Sequence, residues 1–560
     1  MISIPSSPWA PRSARACSPL AATAACVYLM ASGTGALAAG AAETRPWVVG
    51  HQTVPYFNRA QAITEVVFVE TSRDDDQDGT SDRIRVELTR PNTAPGAKVP
   101  LIIHASPYFD QQTREVWETD FFVPYGYAVA TVALPGTDFS TGCADVGGRR
   151  EVRGSKAVID WASGRAKGFY ADGSPADATR WSTGHSAMIG VSWDGIFCKD
   201  LTPTLQASSD DATGNYNKWW SVRDFRVNAP KIKASVFVVH GLNDENVKTR
   251  QFGEWWSELS RLGIERRLFL HQGEHIEPFY DFGATYSTPL LQWFDYYLQG
   301  LDNGVPQQPQ AIIQRENKTW STDAVWPPEG TADQTFQLTS PLGQAAGLLS
   351  TQASSASMAD RYLSFTQSVD YSRDSIVSNP TQPRSDRLVF LSNTLTQSVR
   401  LSGTATISLR VKVDKATAGL QARVVDYGSQ GTAYVVSRTV ADLGHYKAWD
   451  TKRELVPGKW YTLTWEINTD DRIFAAGGNL GVVISAEKAN PLIAYAPVKV
   501  TLDTEQSTIT MPLSGSLGSL AMPAQRMRDI RTAAVGPREP TRDLREFVRE
   551  FVEAGRGKRR

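Results

Sequence analysis

Continuous apolar runs of strand length recur through the first half of the chain: VPLIIHAS (Val99–Ser106), GYAVATVAL (Gly126–Leu134) and ASVFVVHG (Ala234–Gly241). Runs of this kind, without polar alternation, belong to strands buried on both faces. Helix-like segments separate them, one around Val158–Ala162 and another at FGEWWSELSRLG (Phe252–Gly263). Strands alternating with helices predict βαβ units around a mostly parallel sheet. Ahead of them, TEVVFVET and RIRVELTR flank an acidic turn and predict a hairpin.

The texture changes once, near residue 310. After Pro306 the helical spacing disappears, and ATISLRVKVD (Ala405–Asp414), WYTLTWEIN (Trp460–Asn468), LGVVISAE (Leu480–Glu487) and STITMPL (Ser507–Leu513) read as strands between Gly, Asn and Asp turns. That pattern predicts a β-sandwich of jelly-roll type. Beyond residue 515 lies a tail. From Arg526 it carries 11 Arg and Lys against 6 Asp and Glu, with Leu544, Phe547, Val548, Phe551 and Val552 at helical spacing.

Composition narrows the functional classes. A chain of 560 residues, 41% apolar and 21% charged, has the balance of a soluble globular protein and room for several cores. A formal net charge of −1 supplies no positive field for nucleic acid. The N-terminus, with Arg12 and Arg15 ahead of an uncharged stretch ending Ala36-Leu37-Ala38, has the form of a secretory signal over 1–38. No later segment is apolar enough to span a bilayer. Of four cysteines, Cys143 and Cys198 survive removal of that signal, and in an oxidising compartment they predict one disulfide.

GVSWDG (Gly190–Gly195) closes an apolar segment and reads as a nucleophile elbow, the strand-to-helix turn of the kind written G-x-S-x-G, with Ser192 as nucleophile. Asp244, in VFVVHGLNDENV, follows a strand ending at His240. His275, in RRLFLHQGEHIEPF, follows the next one. Ser, Asp and His in this chain order suit a hydrolase in which the carboxylate orients the imidazole and the imidazole takes the serine proton. The other strand-end histidines, His240 and His271, read as structural. An oxyanion needs two donors: the Trp193 backbone N–H and, in the loop IIHASPYFDQ, the Tyr108 hydroxyl. Trp220 is a candidate substrate-binding residue.

The stretches SPYF, GTDFSTGCADVGG, KAVIDWASGRAKG, MIGVSWDG, WWSVRDFRVNAPKIKASVFVVHGLNDENV and HQGEH together resemble the secreted X-prolyl dipeptidyl aminopeptidases of actinobacteria, relatives of the cocaine esterase-like acyl hydrolases. The resemblance implies an α/β-hydrolase domain over 39–310, a galactose-binding-like sandwich over 311–515, and a basic tail over 516–560. It also implies removal of Xaa-Pro dipeptides from free N-termini without a cofactor, by Ser192, Asp244 and His275 with Tyr108 and Trp193 as oxyanion donors. The partners are then peptides with proline at the second position, in the extracellular space. One departure stands out. After the elbow the family continues into a further sheet strand and a helical cap, whereas GVSWDGIF passes here directly to CKDLTPTLQASSDDATGNYNKWW, with no apolar strand before Ala234. An ester or amide hydrolase of the same fold, and a homologue with an impaired or inactive site, therefore stay open beside the peptidase.

RDDDQDGTSD (Arg73–Asp82) sets Asp74, Asp76, Asp78 and Asp82 at D-x-D-x-D-G-x-x-D spacing, which suits a hard, oxygen-liganded cation such as Ca²⁺. An EF-hand would need Glu where Arg85 stands, so the alternatives are a structural calcium loop and a solvated acidic turn.

Overall fold

The computed structural model describes residues 45–107, 109, 116–145, 147–190, 207–210, 212–340, 346–351, 361–367, 375–487, 497–516, 520 and the backbone of 534–535. The proposed signal and the amphipathic stretch of the tail lie outside the described residues.

The predicted hairpin is present as β1 (Ile63–Glu70) and β2 (Arg83–Arg90), paired antiparallel. It is followed by β3 (Val99–Ser106), α1 (Trp117–Phe122), β4 (Ala128–Ala133), α2 (Arg149–Ala162) and β5 (Ser182–Ile189). Their order in the sheet is β1-β2-β4-β3-β5, with β4, β3 and β5 mutually parallel. Then come β6 (Val236–Gly241), α3 (Arg250–Arg261), β7 (Arg266–His271), α4 (Ala284–Tyr297), β8 (Ala311–Gln314) and β9 (Trp320–Asp323). These strands make a second sheet, β9-β8-β7-β6, parallel except for β9. The α/β layer thus runs two strands past the change of texture at residue 310.

The sheet is in two pieces because β5 and β6 have no ladder partner on their facing sides among the described residues. Parallel strands of an α/β fold are normally buried on both faces, as all of β4 is. By contrast β5 is buried only at Ser182, and Met188 is 49% exposed. Only Val238 and Gly241 of β6 are buried. One helix bridges the break. Tyr286, Leu290, Trp293 and Phe294 of α4 share a core with Ile102 and Val129 from the first piece and Phe269 from the second. On the opposite face Ala157, Val158 and Trp161 of α2 pack against the first piece.

The sandwich contains β10 (Ala332–Thr339), β11 (Thr406–Val413), β12 (Gly419–Tyr427), β13 (Thr432–Asp442), β14 (Asp470–Phe474), β15 (Asn479–Ala486) and β16 (Thr508–Gly515), among other strands. β11 shows the expected alternation, with Ile407, Leu409, Val411 and Val413 facing the core. β12, between β13 and β15, is buried along its whole length.

Candidate active site

Asp244 and His275 leave the C-terminal ends of the adjacent parallel strands β6 and β7, the edge of an α/β sheet at which sites form. His275 Nδ1 donates to Asp244 Oδ2 at 2.8 Å. The other carboxylate oxygen accepts the backbone N–H groups of Asn246 (2.9 Å) and Val247 (2.8 Å). Burial raises the Asp244 pKa, but the His275 hydrogen bond and charge and the Val247 N–H outweigh it, holding the carboxyl below its ordinary range. A carboxylate kept ionised there fixes the imidazole proton on Nδ1 and the lone pair on Nε2, the tautomer a general base needs.

The two loops are built against each other. Leu242 N–H donates to His271 O (2.7 Å) and Asn243 N–H to Gly273 O (3.2 Å). At Gly241 a Cβ would lie 2.4 Å from Glu274 O and 2.5 Å from Gly273 O, so only glycine lets these backbones approach so closely. His240 donates from Nε2 to Val247 O (3.0 Å) and stands 4.0 Å from Asp244. His240 and His271 are both pushed below the usual histidine range by burial, His271 to about 4. Both therefore stay neutral at ordinary pH.

The elbow strand β5 ends at Ile189 and β3 at Ser106, so the loops that follow begin where the nucleophile and second oxyanion donor are expected. Ser192, Trp193, Tyr108 and Cys198 lie outside the described residues. Within the sequence, Gly195 stands three positions after Ser192, so the glycines read G-x-S-x-x-G, one residue longer than the elbow pattern expected. Cys143 is disulfide-bonded. Trp220 sits on the short helix Lys218–Ser221, 43% exposed, with Nε1 donating to Ser209 O.

The carboxylates of Asp74, Asp76 and Asp78 lie within 4.8 Å of one another and are exposed. Asp82 stands outside that group and is buried, with Oδ1 lacking a hydrogen-bond donor. Burial, with Asp76, Asp75 and Asp74 nearby, raises its pKa despite the Asp75 N–H. Asp76 also accepts the N–H of Gly142, beside Cys143.

Sequence reasoning missed Glu118, Tyr434 and Arg438. His104, at the end of β3, bonds Glu118 at 2.9 Å, and Glu118 is fully buried. From the sandwich, Tyr434 donates to Asn243 Oδ1, and Arg438 Nη2 pairs with Glu245 at 2.9 Å. Nearly 200 positions separate Tyr434 from Asn243 and Arg438 from Glu245, so no local pattern could have signalled these two contacts.

Comparison with known proteins agrees with this architecture. Residues 78–206 and 198–277 match the family described as X-Pro dipeptidyl-peptidase (S15 family). Residues 303–520 match the X-Pro dipeptidyl-peptidase C-terminal non-catalytic domain. A protein of Bacillus cereus named as a Xaa-Pro dipeptidyl-peptidase is 32% identical, over 82% of this chain and 92% of its own length. One of Streptomyces avermitilis with the same name is 29% identical, over 87% and 89%. Among solved structures, a CocE/NonD family hydrolase of Staphylococcus aureus gives a TM-score of 0.59 at 14% identity, covering 82% of this chain and 99% of that one. An α-amino acid ester hydrolase gives 0.60 at 13%, covering 84% and 100%. The similarity locates the departure noted in the sequence. The S15 match breaks into two stretches that meet at 198–206. In the Bacillus cereus alignment, 82% of this chain, about 459 residues, extends over 549 positions, leaving about 90 without a counterpart here.

Proposed function

Because the chain belongs to the X-Pro dipeptidyl-peptidase (S15) family, we propose that it is a secreted serine peptidase releasing Xaa-Pro dipeptides from free N-termini. The observation that carries the reading is the 2.8 Å hydrogen bond between His275 and Asp244 at the ends of neighbouring parallel strands. In this mechanism Ser192 Oγ attacks the prolyl carbonyl while its proton passes to His275 Nε2, and Asp244 stabilises the imidazolium. The Tyr108 hydroxyl and Trp193 N–H receive the oxyanion. His275 then returns the proton to the leaving amine, and water activated by the same imidazole hydrolyses the acyl-enzyme. Secretion rests on the N-terminal signal pattern and on the disulfide at Cys143, for which Cys198 is the proposed partner.

The reaction takes no cofactor. A calcium ion on Asp74, Asp76 and Asp78 would be structural; in its favour are the three converging carboxylates. The edges of β5 and β6 that have no ladder partner among the described residues, and the short interval after the elbow, favour a second reading, in which small esters are cleaved better than peptides. An ester asks less of a cap that would hold the substrate's amino group. Assaying a Xaa-Pro anilide and a p-nitrophenyl ester in parallel, with Ser192→Ala as control, separates the two readings. Serine-dependent anilide cleavage supports the peptidase, ester turnover alone the esterase, and turnover unchanged in Ser192→Ala defeats both.

A further inference from the structure

The loop carrying Asp244 is held from outside its own domain. We infer that Tyr434 and Arg438, on strand β13 of the sandwich, are positioning residues for the Asp244–His275 pair, making the non-catalytic domain part of the catalytic apparatus. The inference rests on the peptidase reading above for its role in turnover, while the geometry stands by itself.

Asp244 is flanked by Asn243 and Glu245, and β13 holds both. The Tyr434 hydroxyl donates to Asn243 Oδ1, and the same amide donates from Nδ2 to Gln272 O at 2.9 Å. Asn243 therefore links the sandwich, the acid loop and the loop of His275 through one side chain. On the other side Glu245 accepts from Arg438 Nη2 at 2.9 Å and Lys248 Nζ at 3.1 Å. Burial would raise the Glu245 pKa, but Arg438 and Lys248 bring it down to about 2, so the pair remains charged across the working range. Tyr434 is itself braced. The Arg472 guanidinium lies 4.2 Å from its ring centre and is fixed by Asp426 at 2.6 Å.

The need for such a brace follows from the split sheet. In a continuous sheet, β6 would be held by ladders on both edges; here only β7 pairs with it among the described residues. The acid loop leaves the end of this half-supported strand. Displacing a reacting group by about 1 Å can cost about 10²-fold in rate, and Tyr434 and Arg438 oppose that displacement.

The test compares Tyr434→Phe, Arg438→Gln and Arg438→Lys in the full chain. Each is measured for kcat and KM on the anilide and ester, for Tm, and for the imidazole ¹⁵N shifts of His275. Tyr434→Phe and Arg438→Gln are expected to lower kcat about tenfold or more with KM within about twofold. Arg438→Lys, which keeps the charge and a donor, should recover most of the loss. If wild type turns over neither substrate, the functional reading fails, and the His275 shifts decide the positioning role. Changed shifts in Tyr434→Phe and Arg438→Gln support it, and unchanged shifts overturn it. With an active enzyme, kcat within twofold of wild type in both variants, or a loss accounted for entirely by unfolding, overturns it equally.

Discussion

Asp244 and His275 could be read from the sequence because each sits a few residues beyond an apolar run whose strand nature was unambiguous. His271, the last residue of its strand, is buried, and burial sets its chemistry. Its pKa falls from 6.5 to about 4, so between those values the unfolded chain is protonated at this site while the folded chain is not. Unfolding then takes up a proton, and stability falls as pH drops through this window, by about 3 kcal/mol at the lower end. His271→Asn should flatten this part of a stability–pH curve measured by urea unfolding at pH 7, 5.5 and 4.5. Parallel wild-type and variant curves would show that another group governs it. Tyr434 and Arg438 were illegible for the opposite reason: what defines them is contact across two domains, which no spacing in the sequence encodes.

At the scale of elements, β3 spans the residues its apolar run predicted, and β4 and β6 fall within theirs. The strands β8 and β9 were hidden because four residues each are too few to show a period. The break between β5 and β6 was legible as a missing apolar run, and it has a consequence for dynamics. Edge amides without ladder partners open with little loss of free energy. Hydrogen exchange should therefore release the outward amides of β6, and those described at the start of β5, about 100-fold or more sooner than amides of β3 and β4. Uniform protection across β3, β4, β5 and β6 would mean that these edges are covered in solution. Calcium is tested at the same scale: it should raise the Tm of wild type and leave Asp76→Asn unmoved, whereas no shift at millimolar calcium would leave the acidic loop a solvated turn.

Across the whole molecule, the sandwich and the α/β layer are joined by a buried ionic hub. Asp471 of β14, fully buried, accepts from Arg315 (2.7 Å), Arg400 (2.8 and 3.0 Å), Trp326 (2.8 Å) and Ser402 (2.9 Å). Burial opposes its charge, yet Arg400 and Arg315 hold its pKa below the ordinary range. Asp471→Ala would leave two guanidinium groups short of a carboxylate and should cost about 3–5 kcal/mol, seen as a large fall in the denaturant midpoint. A change under about 1 kcal/mol would show the hub relaxes at little cost. The same scale governs activity. With the post-elbow segment short, turnover of Xaa-Pro anilides should fall below the typical kcat/KM of about 10⁴–10⁸ M⁻¹s⁻¹. The central claim, that the chain retains a serine nucleophile served by His275 and Asp244, is tested most directly by fluorophosphonate labelling of the intact protein followed by peptide mapping. The account predicts one adduct per chain, on Ser192, lost in Ser192→Ala and formed much more slowly in Asp244→Asn. An unlabelled wild-type chain, or an adduct at any other residue, would contradict it.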